Sequence, residues 1–172
     1  MAVAQTTLFS SSFSVIYNLL NSNVVDPISS TRNASPSTKW IFSAYPAADI
    51  ELGKIKYPII IIEPIDASWE NFTFTKNMTS LGISITIYSN TASRLDSIFD
   101  SVNAVMDAKR QYLKTQNITE VKLDSSSTDF VMHGGVRVHY RNANYSGKFY
   151  SKSGLAKATK SATTLSSSAV IA

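Results

Sequence analysis

The stretch nearest to catalytic chemistry is His133-Gly134-Gly135, where glycine N–H groups beside a histidine would suit an oxyanion hole. Such a hole serves a nucleophile, and the chain has no Gly-x-Ser-x-Gly elbow to supply one. The glycine pair reads more simply as a turn or bulge ahead of a strand. His139 alternates with Val136 and Val138 and reads as a surface or interface residue. Glu63, Asp66 and Glu70 gather carboxylates that would suit a hard cation. Their spacing does not match a calcium loop, so a solvated loop is the expected setting. There is no cysteine, which removes disulfides, thiolate catalysis and cysteine zinc sites together. Two histidines six residues apart make a poor metal site, so neither metal nor cofactor is expected. Walker and Gly-x-Gly-x-x-Gly signatures are missing as well.

Two further groups carry binding rather than catalysis. Arg137, Arg141, Lys148, Lys152, Lys157 and Lys160 concentrate the cations after residue 136, with Tyr140, Tyr145, Phe149 and Tyr150 between them. That interleaving fits a surface for DNA or an acidic partner. A solvated strand face followed by a polar tail produces the same pattern. Trp69, Phe72, Phe74, Tyr140, Tyr145 and Phe149 are the aromatic candidates for a subunit or partner interface.

The elements that must position these groups follow from periodicity. Leu8, Phe9, Phe13, Ile16, Tyr17, Leu19 and Leu20 predict a helix over 6–21. Val24 to Lys39 reads as loop, Lys39 to Tyr45 as a short aromatic strand, and 47–56 as loop again. Ile59-Ile60-Ile61-Ile62 predicts an interior strand buried on both faces, begun at Pro58 and limited by Pro64. Phe72 and Phe74 alternate with threonines as in an edge strand or hairpin arm. Leu81, Ile83, Ile85 and Ile87 mark a half-buried strand. Ser89-Asn90-Thr91 then supplies capping chemistry for a long helix to about residue 116, with Leu95, Ile98, Phe99, Val102, Val105 and Met106 as its apolar stripe. Ile118–Leu123 reads as a strand, 124–127 as a turn, 129–132 as a short strand, and 136–141 as a strand able to continue through Tyr150.

The predicted fold class is α+β, a mostly antiparallel sheet packed by the N-terminal and long central helices. One unit over 1–152 and a flexible Ser/Thr/Lys-rich arm over 153–172, ordered only against a partner, complete the expectation. Apolar residues at 44% exclude wholesale disorder, while a net charge of +4 with 16% charged residues leaves a surface of Ser, Thr and Asn. The apolar run at Pro58–Ile62 is far short of the ~20 residues that span a membrane. The N-terminus lacks the pattern of a secretory signal, so a soluble protein made in a cytoplasm is expected. Asn-x-Ser/Thr triplets at Asn33, Asn71, Asn77, Asn117 and Asn144 then reflect composition.

The order of these motifs resembles the phage tail terminator, or tail-completion, family over roughly Thr6 to Tyr150. The resemblance is carried by the leading helix, Trp40-Ile41-Phe42, Tyr57-Pro58-Ile59-Ile60-Ile61, Trp69, Gly82 to Tyr88, Ser89-Asn90-Thr91 with its helix, and the C-terminal β segment. It implies a non-enzymatic α+β virion protein at the tail–neck junction, assembled in the host cytoplasm. It further implies a hexameric homo-oligomeric ring that ends the tail tube, contacts the tube protein and a head-closure or neck protein, and passes genomic DNA without sequence readout. The long loop over 24–39 and the arm after Ser153 depart from the family pattern. Another neck component, or a nucleic-acid-binding module built on the basic β segment, are the alternatives.

Overall fold

In the computed structural model, the described residues are 6–28, 39–51, 56–73 and 76–152, with the side chains of 6–11, 48, 51, 69–73, 76, 77, 151 and 152 left aside. Helix α1 covers Thr6–Asn23, β1 Ile41–Phe42, α2 Ala47–Glu51, β2 Ile59–Thr73 and β3 Lys76–Ser89. Helices α3 (Ala92–Ala108) and α4 (Arg110–Thr115) precede the long strands β4 (Ile118–His133) and β5 (Val136–Lys152). The five strands form one sheet in the order β1-β2-β3-β5-β4. Among the described residues only the β1–β2 pair is parallel; the others are antiparallel. The fold is therefore α+β with a mostly antiparallel sheet, as the sequence predicts. Among the described residues no helix is long and apolar enough to cross a membrane.

The isoleucine run explains why the sheet has material on both faces. Ile60 and Ile62 enter the main core with Ile16, Leu20, Leu95 and Val102 from the helices. Ile59 and Ile61 point the other way, into a small cluster with Ile50 of α2, Phe42, Tyr57 and Tyr88. Burial on both faces is thus met at this strand, as β-branched residues in an unbroken run require. Leu81, Ile83, Ile85 and Ile87 of β3 all join the main core. Their alternate partners Ser84 and Thr86 lie on the opposite face.

Several boundaries differ from expectation, each for a local reason. Pro64 does not stop β2, which runs on to Thr73 across a register shift between Pro64 and Asp66. The border of β2 there meets no strand among the described residues, because β1 covers only Ile60 and Ile61. A residue without an N–H is harmless at such a position. Glu63, Asp66 and Glu70 consequently sit on a strand and not in a loop. The aromatic strand expected over 39–45 shrinks to Ile41–Phe42, and α2 occupies part of the expected loop over 47–56. The long helix ends at Ala108 and resumes as α4 after Lys109, whose N–H bonds back to Val105 O. At its start Thr91 is the cap residue but makes no side-chain cap bond; Ser89 Oγ instead accepts from the Thr91 N–H.

The largest difference concerns residues 118–133. The turn expected at 124–127 and the separate short strand at 129–132 are absent, and β4 is one strand of 16 residues. The irregularity that Asp124-Ser125-Ser126-Ser127 signals is absorbed by register shifts at Thr119/Lys122 and Leu123/Ser125. An extra residue can bulge from a border strand without ending it. Gly134 and Gly135, with φ of 55° and 77°, then form the two-residue hairpin turn into β5. Both central residues need positive φ in such a turn, which is what glycine supplies without strain. The arm over 153–172 and the loop over 29–38 lie outside the described residues.

Candidate assembly surface

Strand β5 sorts the nominated residues by face. Arg141, Ala143, Tyr145, Gly147 and Phe149 lie opposite Ile87, Ile85, Ile83, Leu81 and Thr79, which is the helix-covered side. Tyr145 and Phe149 are buried core residues there. This corrects their nomination as interface anchors: strand alternation puts them inward. The Tyr145 hydroxyl donates to Asn103 Oδ1 of α3, and burial pushes its pKa up to about 12. Of the other aromatics, Trp69 and Phe72 lie on β2 with side chains outside the description, and Phe74 lies outside the described residues.

Tyr140 is on the opposite face, and it belongs to a cluster that sequence reading missed. Its ring centroid is 5.5 Å from Tyr88, which is 5.3 Å from Tyr45 and 6.4 Å from Tyr57. His133 meets Tyr57 edge-on at 6.4 Å. The Tyr45 and Tyr57 hydroxyls are 3.2 Å apart. Burial, then the neighbouring hydroxyl of Tyr45, raises the Tyr57 pKa; burial, then Tyr45, Tyr140 and Glu63, raises that of Tyr88. Neutral phenols stacked on a sheet end make an amphipathic surface, apolar in body and polar at the rim. The signal was available in principle, since Tyr88 and Tyr140 occupy the off-core position of alternating strands.

The cations divide similarly. Arg141 reaches Asp96 at 2.7 Å, donates Nε–H to Thr128 Oγ1 at 2.9 Å, and lies 4.5 Å from the Phe99 ring centre. Lys148 is 2.6 Å from Glu120. Both are engaged with carboxylates of the same chain. Arg137 lies over the Phe130 ring at 3.9 Å on the exposed hairpin tip. Lys152 ends β5, its side chain not described, and Lys157 and Lys160 lie outside the described residues.

The surface without a counterpart is the outer half of β4. Residues 122–132 are exposed, on both faces of the strand. Phe130, Val131 and Met132, with Val136 across the turn, are large apolar side chains left in solvent, Met132 at 60% exposure. The first half of this border carries the usual defences against stray pairing: two register shifts and the charges Glu120, Lys122 and Asp124. Ser146, then Lys122, holds the Asp124 carboxyl below its ordinary value. From Ser125 to Met132 the ladder is regular, with Asp129 its one charge and no proline or lysine. Asp129 itself accepts the Phe130 N–H at 2.8 Å, so that N–H points away from β5. By alternation the N–H groups of Ser126, Thr128 and Met132 point outward too.

Behind the other half of β4, a cleft of about 430 Å³ opens between α3 and the strand, lined by Asn103, Met106, Arg110, Val121, Leu123 and Tyr145 among others. Of its charged lining residues, Arg110 lies 2.8 Å from Asp107 and Lys122 lies 3.2 Å from Asp124. Among the described residues no group of three or more His, Asp or Glu is placed to hold a metal. What these surfaces offer is backbone hydrogen bonding and apolar contact. No family model matches the chain, and no curated protein matches it either.

Proposed function

We propose that this chain is a structural virion protein of the tail-terminator type, a non-enzymatic building part that closes into a ring, hexameric by the resemblance. The ring ends the tail tube and joins it to a head-closure or neck protein, with genomic DNA passing through the lumen. The observation that carries this reading is the bare outer half of β4, with its regular backbone border and exposed Phe130, Val131, Met132 and Val136. A surface of that kind favours contact with protein backbone and apolar groups over chemistry on a small substrate. The order of elements, a leading helix, a hairpin, a long helix and a second hairpin, supports it further. DNA passage without sequence readout asks for no dedicated basic groove, which accords with Arg141 and Lys148 being paired internally.

The test is the particle. Virions made without this protein should carry tails of uncontrolled length, or tails that do not join heads. Tails of normal length that fail only to join heads would assign the chain to another neck component. Normal infectious tailed particles without it would end the proposal.

A further inference from the structure

The sheet has two incomplete borders on opposite sides. One is β4, free along its length among the described residues; the other is β2 beyond Ile61, where β1 stops. Regular pairing on β4 runs from Ser125 to His133, and on β2 from Asp66 to Asn71. Strand directions follow from the pairings: β2 and β5 run one way, β3 and β4 the other. Two copies set side by side with their sheets in the same sense would therefore bring β4 against β2 in antiparallel orientation, the commoner and slightly more stable ladder.

We propose that the stretch Ser125–Met132 of β4 pairs, backbone to backbone, with the Asp66–Asn71 stretch of β2 in a second copy of this chain. The assignment rests on the ring reading above for its partner. The contact is head-to-tail, so each added copy leaves one free β4 and one free β2 until rotation closes the set. A two-fold β4–β4 contact would instead join two copies symmetrically and leave both β2 borders open, so it does not by itself build a head-to-tail ring. The strand pair would also draw Phe130, Val131 and Met132 out of solvent. Asp129, which now accepts the Phe130 N–H, would release that donor to the incoming strand.

Two experiments on the full chain test this, run at high concentration and with purified tail tubes present. Ser126→Pro removes an outward N–H and leaves the β5 ladder intact, since proline is tolerated on such a border. The expected result is an unchanged melting temperature with at least tenfold loss of assembled mass. A lower melting temperature with unchanged assembly would overturn the proposal, because the border would then serve the monomer's own fold. The second uses the lack of native cysteine. Ser68→Cys is combined in turn with Ser127→Cys and Asp129→Cys, all on the Tyr88 side of the sheet, and oxidised with diamide. A ladder of covalent multimers from the double variants, absent from each single variant, is expected. Dimers from Ser127→Cys or Asp129→Cys alone would overturn it in favour of two-fold pairing. Rings seen by mass without any ladder, and indifferent to Ser126→Pro, would overturn the strand pairing while leaving the ring standing. A ladder in a protein whose loss leaves particles normal would leave the pairing standing and remove the virion role.

Discussion

The two ends of the β4–β5 hairpin are built from one pair of strands yet live in different environments. At the base, Ile118 lies opposite Phe149 and both are buried under the helices. At the tip, Phe130 and Met132 stay exposed, with Arg137 over the Phe130 ring. The base is where the hairpin belongs to the fold; the tip is the stretch proposed to meet a second copy. A substitution at the base should be read in stability, and one at the tip in assembly. Four predictions press on that division, beginning with the largest effect.

Val102→Asp places a charge on the fully buried stripe of α3, which packs on the sheet near the hairpin base. The cluster around it is apolar, so a carboxylate left there would cost about 3–5 kcal/mol or more. Circular dichroism should show a chain unfolded or nearly so at 37 °C. A melting temperature within a few degrees of wild type would show that α3 does not secure the base.

Tyr145→Phe is a smaller cut at the same place. It deletes the hydroxyl that donates to Asn103, and a single hydrogen bond contributes about 1 kcal/mol. It also carries a pH signature. The Tyr145 pKa is 10.0 in its ordinary state and about 12 in the fold, so the neutral phenol is favoured by folding. Its share of stability is fully present below pH 10 and is lost as pH rises towards about 12. The wild type should lose stability across that window more steeply than the variant. Parallel alkaline denaturation curves would contradict the buried placement.

Gly82 lies opposite Asp66 on the β2–β3 hairpin, and a β-carbon there would come within 2.1 Å of Asp66 Oδ1. Gly82→Ala must push that carboxylate aside, a cost of about 1 kcal/mol because the contact is with the end of a side chain. Asp66 begins the β2 border proposed to receive β4, so the variant links the two regions. Urea unfolding should show the modest loss, and cross-linking between copies should fall more than stability does. Unchanged stability would mean Asp66 is not held over Gly82.

What the sequence made legible divides along the same line. The core half was readable because periodicity reports burial: the isoleucine run, the β3 alternation and the α3 stripe each appear where apolar spacing predicts. The tip half was not, since a border strand bare on both faces has no alternation to detect. Asp124 to Ser127 therefore looked like a turn, although the chain continues extended through it. Tyr145 and Phe149 were misplaced for the opposite reason. Their residue types fit an interface, but the register that turns them inward depends on β3, a strand more than 50 residues away in sequence. The tyrosine cluster joins Tyr45, Tyr57, Tyr88 and Tyr140 from four separate segments, and no local window contains it.

The smallest effect on stability is expected at the tip, and there it is the most informative. Phe130→Ser removes an exposed ring that touches Arg137 and is otherwise in solvent. A cation over an exposed ring contributes about 0.5–1 kcal/mol, and 47% of Phe130 is already in solvent. Monomer stability should thus change by about 0.5 kcal/mol, near the scatter of ordinary surface substitutions. In an assembled state the same ring would be covered, and its loss should weaken association well beyond that amount, since apolar anchors at protein contacts dominate binding. The pair of measurements is the point: urea unfolding of the dilute monomer against sedimentation of the concentrated protein with tail tubes. A large loss of monomer stability would mean the tip is packed by the chain itself. A variant that assembles like wild type would show that the bare half of β4 is merely exposed, and the distinction between base and tip would reduce to depth of burial.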